Sequence, residues 1–480
     1  MNWRGGMRLA SPLIIVSSCL FWQAGSGLWP TFREFQTVLL SVDWMLLVCL
    51  GIWCGTFIFL KFNQKDWPLL GLLFLAFAAY AITYTNSSRV MDVAILLACI
   101  TLGKAASFAL VGNEVTRLIS KPKKPKLDNQ LETPYVISYF LVGLIVLLAF
   151  SSWWHLDMAG AYHGPRWMGL WNNPNIYGML MGAGVVLAIG LLIADRRWPM
   201  EGGGKANPKV EVCKLGVVKW KLVNIFLLVA AGMLAVGLVM SYSRGAWTAT
   251  VAALLYLAWS YGKLKWRFVL PVVLVVVMVV AVFWHATSDT ATWYLKRLDL
   301  SRPSAQHRVS AWRGAVQMMR DHPLGVGWNQ AVSVYDKNYS PPEGGAAALT
   351  MNSYLMLGTE LGLPGLLCFV AYVGLCFKVG RVTPCAPSPN EPSFGPPGVP
   401  RPTSDIISLP VATPGGSPYP VLAQPSSVFH PPSSNFLAIA CRAGALVFVV
   451  AFWFDGGLFD LPTAAMFWVL LELGKPLTRP

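Results

Sequence analysis

The chain has 480 residues, of which 55% are hydrophobic and only 12% charged, with a net charge of +15. A soluble globular chain carries about twice that charged fraction, so composition excludes an ordinary soluble domain and points to a helix bundle in lipid. Nucleic-acid binding is a poor reading of the positive balance, because no soluble domain carries it; basic loops facing a cytoplasm and its anionic lipids account for most of it. The nine cysteines do not read as a disulfide framework. Seven fall in apolar runs, Cys213 and Cys385 fall in expected cytoplasmic loops, and none shows metal-ligand spacing.

Apolar runs of about 17–25 residues are the spanning candidates. Twelve occur, at 12–29, 38–60, 67–85, 90–112, 134–153, 174–194, 222–242, 244–262, 268–286, 352–377, 436–454 and 458–474. Arg4 and Arg8 precede the first run as in a signal peptide, but no small-residue cleavage site follows, so it reads as an uncleaved span. Lys61, Lys65, Arg117, Lys121, Arg196, Arg197, Lys263, Lys265, Arg267, Lys378 and Lys475 fall on one side of this scheme. The short loops on the other side hold only Arg33, Arg89, Arg166 and Arg244. That asymmetry places both termini in the cytoplasm of a multi-pass membrane protein. The expected organisation is nine spans over 1–286, a periplasmic loop over 287–351, a tenth span over 352–377, a Pro-rich cytoplasmic loop over 378–435 and two spans over 436–480. The stretch 384–432 is too poor in apolar surface to order itself. It reads as a tolerated insertion or a partner-binding linker.

The outer loop is unusual for its charge. It carries Lys296, Arg297, Arg302, Arg308, Arg313, Arg320 and Lys337, and clustered arginines beside a membrane suit an anionic ligand, phosphate first. Val309, Trp312, Val316 and Met319 recur at helical spacing, which predicts an amphipathic surface helix over 305–322 ended by Pro323 and a Gly325-Val326-Gly327 turn.

Four outward patches could carry chemistry. Arg166 to Asn175 contains Asn173-Pro174-Asn175, a turn and helix start whose amides could also bind sugar hydroxyls or phosphate. Ser243-Arg244-Gly245 opens a span with an arginine, against the helix dipole, as an interfacial anchor or a ligand group. His307-Arg308 and Trp312 precede Asp321-His322-Pro323-Leu324-Gly325-Val326-Gly327. Asn352, a plausible cap, leads to Glu360-Leu361-Gly362-Leu363-Pro364-Gly365.

Taken in order, these motifs resemble the O-antigen ligase and O-antigen polymerase family over about 166–377. The resemblance implies an all-α membrane protein of about twelve transmembrane helices, GT-C-like, with one large periplasmic loop holding the amphipathic helix. It also implies a metal-independent, cofactor-free glycosyltransferase. Its partners would be an undecaprenyl-diphosphate-linked glycan and an acceptor glycan or lipid at the membrane. Arg244 and Arg308 match the family's functional arginines, with Arg166, Asn173, Asn175, Trp312, Asn352 and Glu360 as candidate substrate-binding residues. The chain departs from the ligase branch at one point: Met351 occupies the position of a histidine, and a thioether cannot take up a hydroxyl proton. Polymerase is therefore favoured over ligase, with His307, His322, Asp336, Glu343 and Glu360 as possible substitutes. An inactive assembly protein and, from another class, a transporter using Asp43, Asp92, Lys104, Arg442, Asp455 and Asp460 are the competing readings.

Overall fold

The computed structural model describes residues 12–17, 19–20, 66–83, 95–107, 110, 133–153, 166–171, 173–196, 214–261, 303–328, 330–340, 352–378 and 434–475. They all fall in one compact unit, Met1–Lys378 with Pro431–Pro480. The expected spans at 38–60 and 268–286, the Pro-rich loop, Glu343 and Met351 lie outside the described residues, as does the His307 side chain.

Every regular element among the described residues is helical. In chain order they are α1 (Trp67–Thr83), α2 (Ile95–Ser107), α3 (Thr133–Trp153), α4 (Pro174–Arg196), α5 (Lys214–Met240), α6 (Arg244–Ser260), α7 (Pro303–Asp321), α8 (Ala331–Asn338), α9 (Ser353–Glu360), α10 (Gly362–Phe377), α11 (Ser434–Ala451) and α12 (Leu461–Leu473). α4 is the centre of the bundle and packs against α3, α5, α6, α11 and α12. Small residues make this possible. Gly178, Gly182 and Gly190 face Ser241, Thr250 and Ala440, so neighbouring helices approach closely.

Among the described residues, two stretches are long and apolar enough to cross a membrane, Pro174–Ala194 within α4 and Val223–Met240 within α5. The stretch in α4 is mostly buried by its neighbours, while that in α5 leaves Ile225, Phe226, Leu228, Val229 and Val236 exposed. Further exposed rings and aliphatics follow on other helices, including Phe74, Phe150, Trp259 and Leu367. An apolar exterior on this scale is costly in water and natural in lipid. The all-helical architecture and its apolar helices are those of a helical membrane protein.

Two expectations change in detail. The stretch 352–377 is two helices, because the chain breaks at Gly362, with φ of +73°. There the backbone meets the turn after α7: Val326 N donates to Thr359 O, Gly327 N to Glu360 O and Leu363 N to Pro323 O. A Cβ on Gly325 (φ +86°) would lie 2.3 Å from Glu360 O, so this interlock of two chain reversals requires glycine. The apolar stripe of α7 is also rotated from its expected phase. Ala311, Ala315, Met318 and Met319 are buried, whereas Val309 and Val316 are exposed. The helix packs mainly on α9, and small residues with flexible methionines fit that close contact better than β-branched valines.

Candidate functional site

Side chains from five separate elements meet around the turn Phe452–Gly456, which joins α11 to a short 3₁₀ helix, Gly457–Phe459, ahead of α12. The turn is held from below by α9. Ser353 N donates to Phe452 O at 3.0 Å, and Ser353 Oγ donates to Asp455 O at 3.1 Å while accepting from Leu458 N. On another side Gly245 leaves room for Phe454, since a Cβ there would lie 2.8 Å from the Phe454 Cβ.

Asn173 and Pro174 build the first wall. The Asn173 side chain accepts from Asn175 N at 2.9 Å and Pro174 opens α4, as the Asn-Pro-Asn motif predicts. Asn175 is thereby fixed facing the turn, where its amide hydrogen-bonds Asp455. Its oxygen accepts from Arg166 Nη2 at 2.8 Å, and Arg166 Nε donates to Ser241 O at 2.9 Å. Arg166 is thus tied to both the α4 start and the α5–α6 hairpin. That hairpin turns through Tyr242, with φ of +50°, and Ser243 caps α6 through Ala246 N. Arg244, the first residue of α6, is exposed.

Arg308 comes from α7 and is half-buried. Burial lowers its pKa, the nearby Asp455 carboxylate opposes that shift, and the Arg244 charge adds to it. Asp455 is pushed above the usual carboxylate range, chiefly by burial; the Asn175 hydrogen bond, the Arg308 charge, the Gly456 amide and the Arg166 charge act against this. The charges of Arg308 and Arg166 therefore act on one acid that burial makes reluctant to ionise, and the exposed Arg244 acts on Arg308. Such a cluster carries excess positive charge in a place of reduced solvation, the setting in which an oxyanion is held most strongly.

The expected residues separate into two groups. Arg166, Asn173, Asn175, Arg244, Arg308 and, one turn beyond Arg308, Trp312 lie at or beside the turn. Asn352 is fully buried, and its oxygen caps α9 by accepting from Tyr354 N and Leu355 N at 3.0 and 3.1 Å. Glu360 is buried at the opposite end of α9, about 12 Å along the helix from Asn352. Among the proposed substitutes for the missing histidine, His322 and Asp336 are exposed on α7's end and α8. Asp455 is the residue that the motifs missed. Its only local signal is an acid at the end of an apolar run, Phe452-Trp453-Phe454-Asp455, which read equally well as a structural or transport group.

Residues 225–370 match the family model described as O-Antigen ligase. The matched segment supports the resemblance to the O-antigen ligase family, and covers Arg244, α7, α9 and most of α10. Arg166, Asn175 and Asp455, the other half of the cluster, come from outside it. No curated protein matches the chain.

Proposed function

We propose that this protein transfers an undecaprenyl-diphosphate-linked glycan to an acceptor hydroxyl at the periplasmic face of the inner membrane, as a polymerase or ligase. The observation that supports this reading is the action of Arg166 and Arg308 on Asp455, with Arg244 beside Arg308, at a site half of which lies in the family-matched segment.

In this reading the diphosphate lies against the arginines. The acceptor oxygen attacks the anomeric carbon, the bond from that carbon to the diphosphate oxygen breaks, and the bonding pair leaves with the diphosphate. Arginine stabilises the charge that grows there, and its planar donors suit phosphate oxygens. The acceptor's proton needs a base. Asp455 is a carboxylate whose charge acts on Arg308, and its raised pKa makes its conjugate acid more stable than an ordinary carboxylic acid. Asn175 positions that carboxylate. This arrangement offers a route that does not need a histidine at 351.

The test uses purified protein in lipid with an undecaprenyl-diphosphate-linked oligosaccharide, following released lipid diphosphate and glycan length. Wild type releases diphosphate; lengthened glycan marks a polymerase, and release only with a non-repeat acceptor marks a ligase. Arg308→Ala inserts normally and releases it about 10³-fold more slowly. Undiminished release from that variant removes the clamp, and no release from folded wild type leaves the assembly-protein reading.

A further inference from the structure

The turn that carries Asp455 also carries an aromatic side chain that the transfer chemistry leaves without a task. Trp453 is 45% exposed, although its neighbour Phe452 is completely buried. Its ring is braced from two sides. Tyr354 lies against it with centroids 5.8 Å apart, and Trp312 meets it edge-on, also at 5.8 Å. Tyr354 is itself fixed, since its hydroxyl donates to Val449 O and its ring packs on Phe369. The indole is therefore held in place with apolar surface left uncovered.

Position decides what that surface fits. Trp453 stands two residues before Asp455, and Trp312 stands one helical turn after Arg308, on the same side of α7. The open ring is thus joined to the charged cluster through its own backbone and through Trp312. A sugar attached to a diphosphate is bound to place one ring beside the phosphates. Pyranose rings present a face of C–H bonds and a rim of hydroxyls. The electron-rich face of an indole complements the first, while arginine and amide groups complement the second.

We propose that Trp453, braced by Trp312 and Tyr354, is a stacking platform for the sugar adjoining the diphosphate. The proposal rests on the transfer reading above and adds a carbohydrate subsite to it. Trp453 is a positioning residue: it sets the angle at which the anomeric carbon faces the acceptor and selects for a sugar with an unbroken C–H face.

The experiment compares two probes on the full-length protein in lipid nanodiscs: undecaprenyl diphosphate alone, and undecaprenyl-diphosphate-linked oligosaccharide extracted from the producing cells. Trp453→Ala should weaken the glycan-bearing probe by about tenfold and leave the bare diphosphate lipid unchanged. Trp453→Phe, which keeps an aromatic face and guards against misfolding of the alanine variant, should restore most of the loss. Equal weakening of both probes by Trp453→Ala would mean a fold or lipid-interface role and would overturn the platform. Unchanged binding of both would overturn it as well, while the arginine clamp stands. If wild type binds neither probe, the transfer reading itself falls and takes the platform with it, an outcome separable from the other two.

Discussion

The two ends of α12 carry two clusters of charge built on opposite rules. Beyond its C-terminus, Lys104 Nζ lies 2.7 Å from Asp66 and 3.5 Å from Glu472, and Lys475 Nζ lies 3.0 and 2.9 Å from the same two acids. Tyr372 donates to Glu472 and accepts from Lys475. Two cations there meet two anions. Before its N-terminus, Arg308 and Arg166 act on Asp455, and Arg244 acts on Arg308. Both clusters contain ionisable groups withdrawn from water, but among the described residues the first pairs its charges and the second sets arginines beside one acid. The paired set joins α1, α2, α10 and α12. On the proposed reading the second receives an anion, and the contrast then separates a structural device from a binding site within one bundle.

The contrast breaks most sharply at Arg308. Arg308→Ala should cut transfer by about 10³-fold, the scale of losing a donor to a developing oxyanion, with thermal unfolding little changed. Glu472→Gln should do the reverse, costing about 3 kcal/mol of stability by leaving the two lysines short of an anion, while turnover per folded molecule holds; denaturation and active-site-normalised assays read the two. Asp455→Asn should lower transfer by about 10²-fold. As a base, Asp455 must be unprotonated, and burial raises its pKa, so wild-type activity should fall on acidification through a value above the ordinary carboxylate range of about 3.9. The asparagine variant should lose that limb of the pH profile. The smallest effect falls outside both clusters. Asn352→Ala should cost about 1 kcal/mol in chemical denaturation by removing the α9 cap.

Local chemistry was legible where a residue acts on its own neighbours. Asn173 and Pro174 start α4, Asn352 caps α9, and Pro323 stands just past the end of α7, each as the sequence predicts. The same holds for the family resemblance over the matched segment 225–370. What required the fold is everything decided at long range. The stripe of α7 is set by the surface of α9, which helical spacing does not encode. The break at Gly362 exists because a second reversed turn presses on it, and a single apolar run over 352–377 gave no sign of that. Asp455 could not be told from any other acid ending an apolar run until Asn175 and Arg308 were seen beside it. The partnership of Asp66 with Lys475 joins residues from nearly opposite ends of the sequence.

The turn at Phe452–Gly456 also has a consequence in time. A chain still being made holds Arg166, Arg244 and Arg308 well before it holds Asp455, and at about 10 residues per second the interval after Arg308 is on the order of 15 s. Until that turn emerges, Asn175 lacks its acid and α9 lacks the carbonyl that Ser353 N seeks. On the proposed reading, a growing chain displays the phosphate-binding half first and the proton-accepting half afterwards. The order of synthesis would then act as a safety catch that keeps half-made copies from consuming lipid-linked sugar.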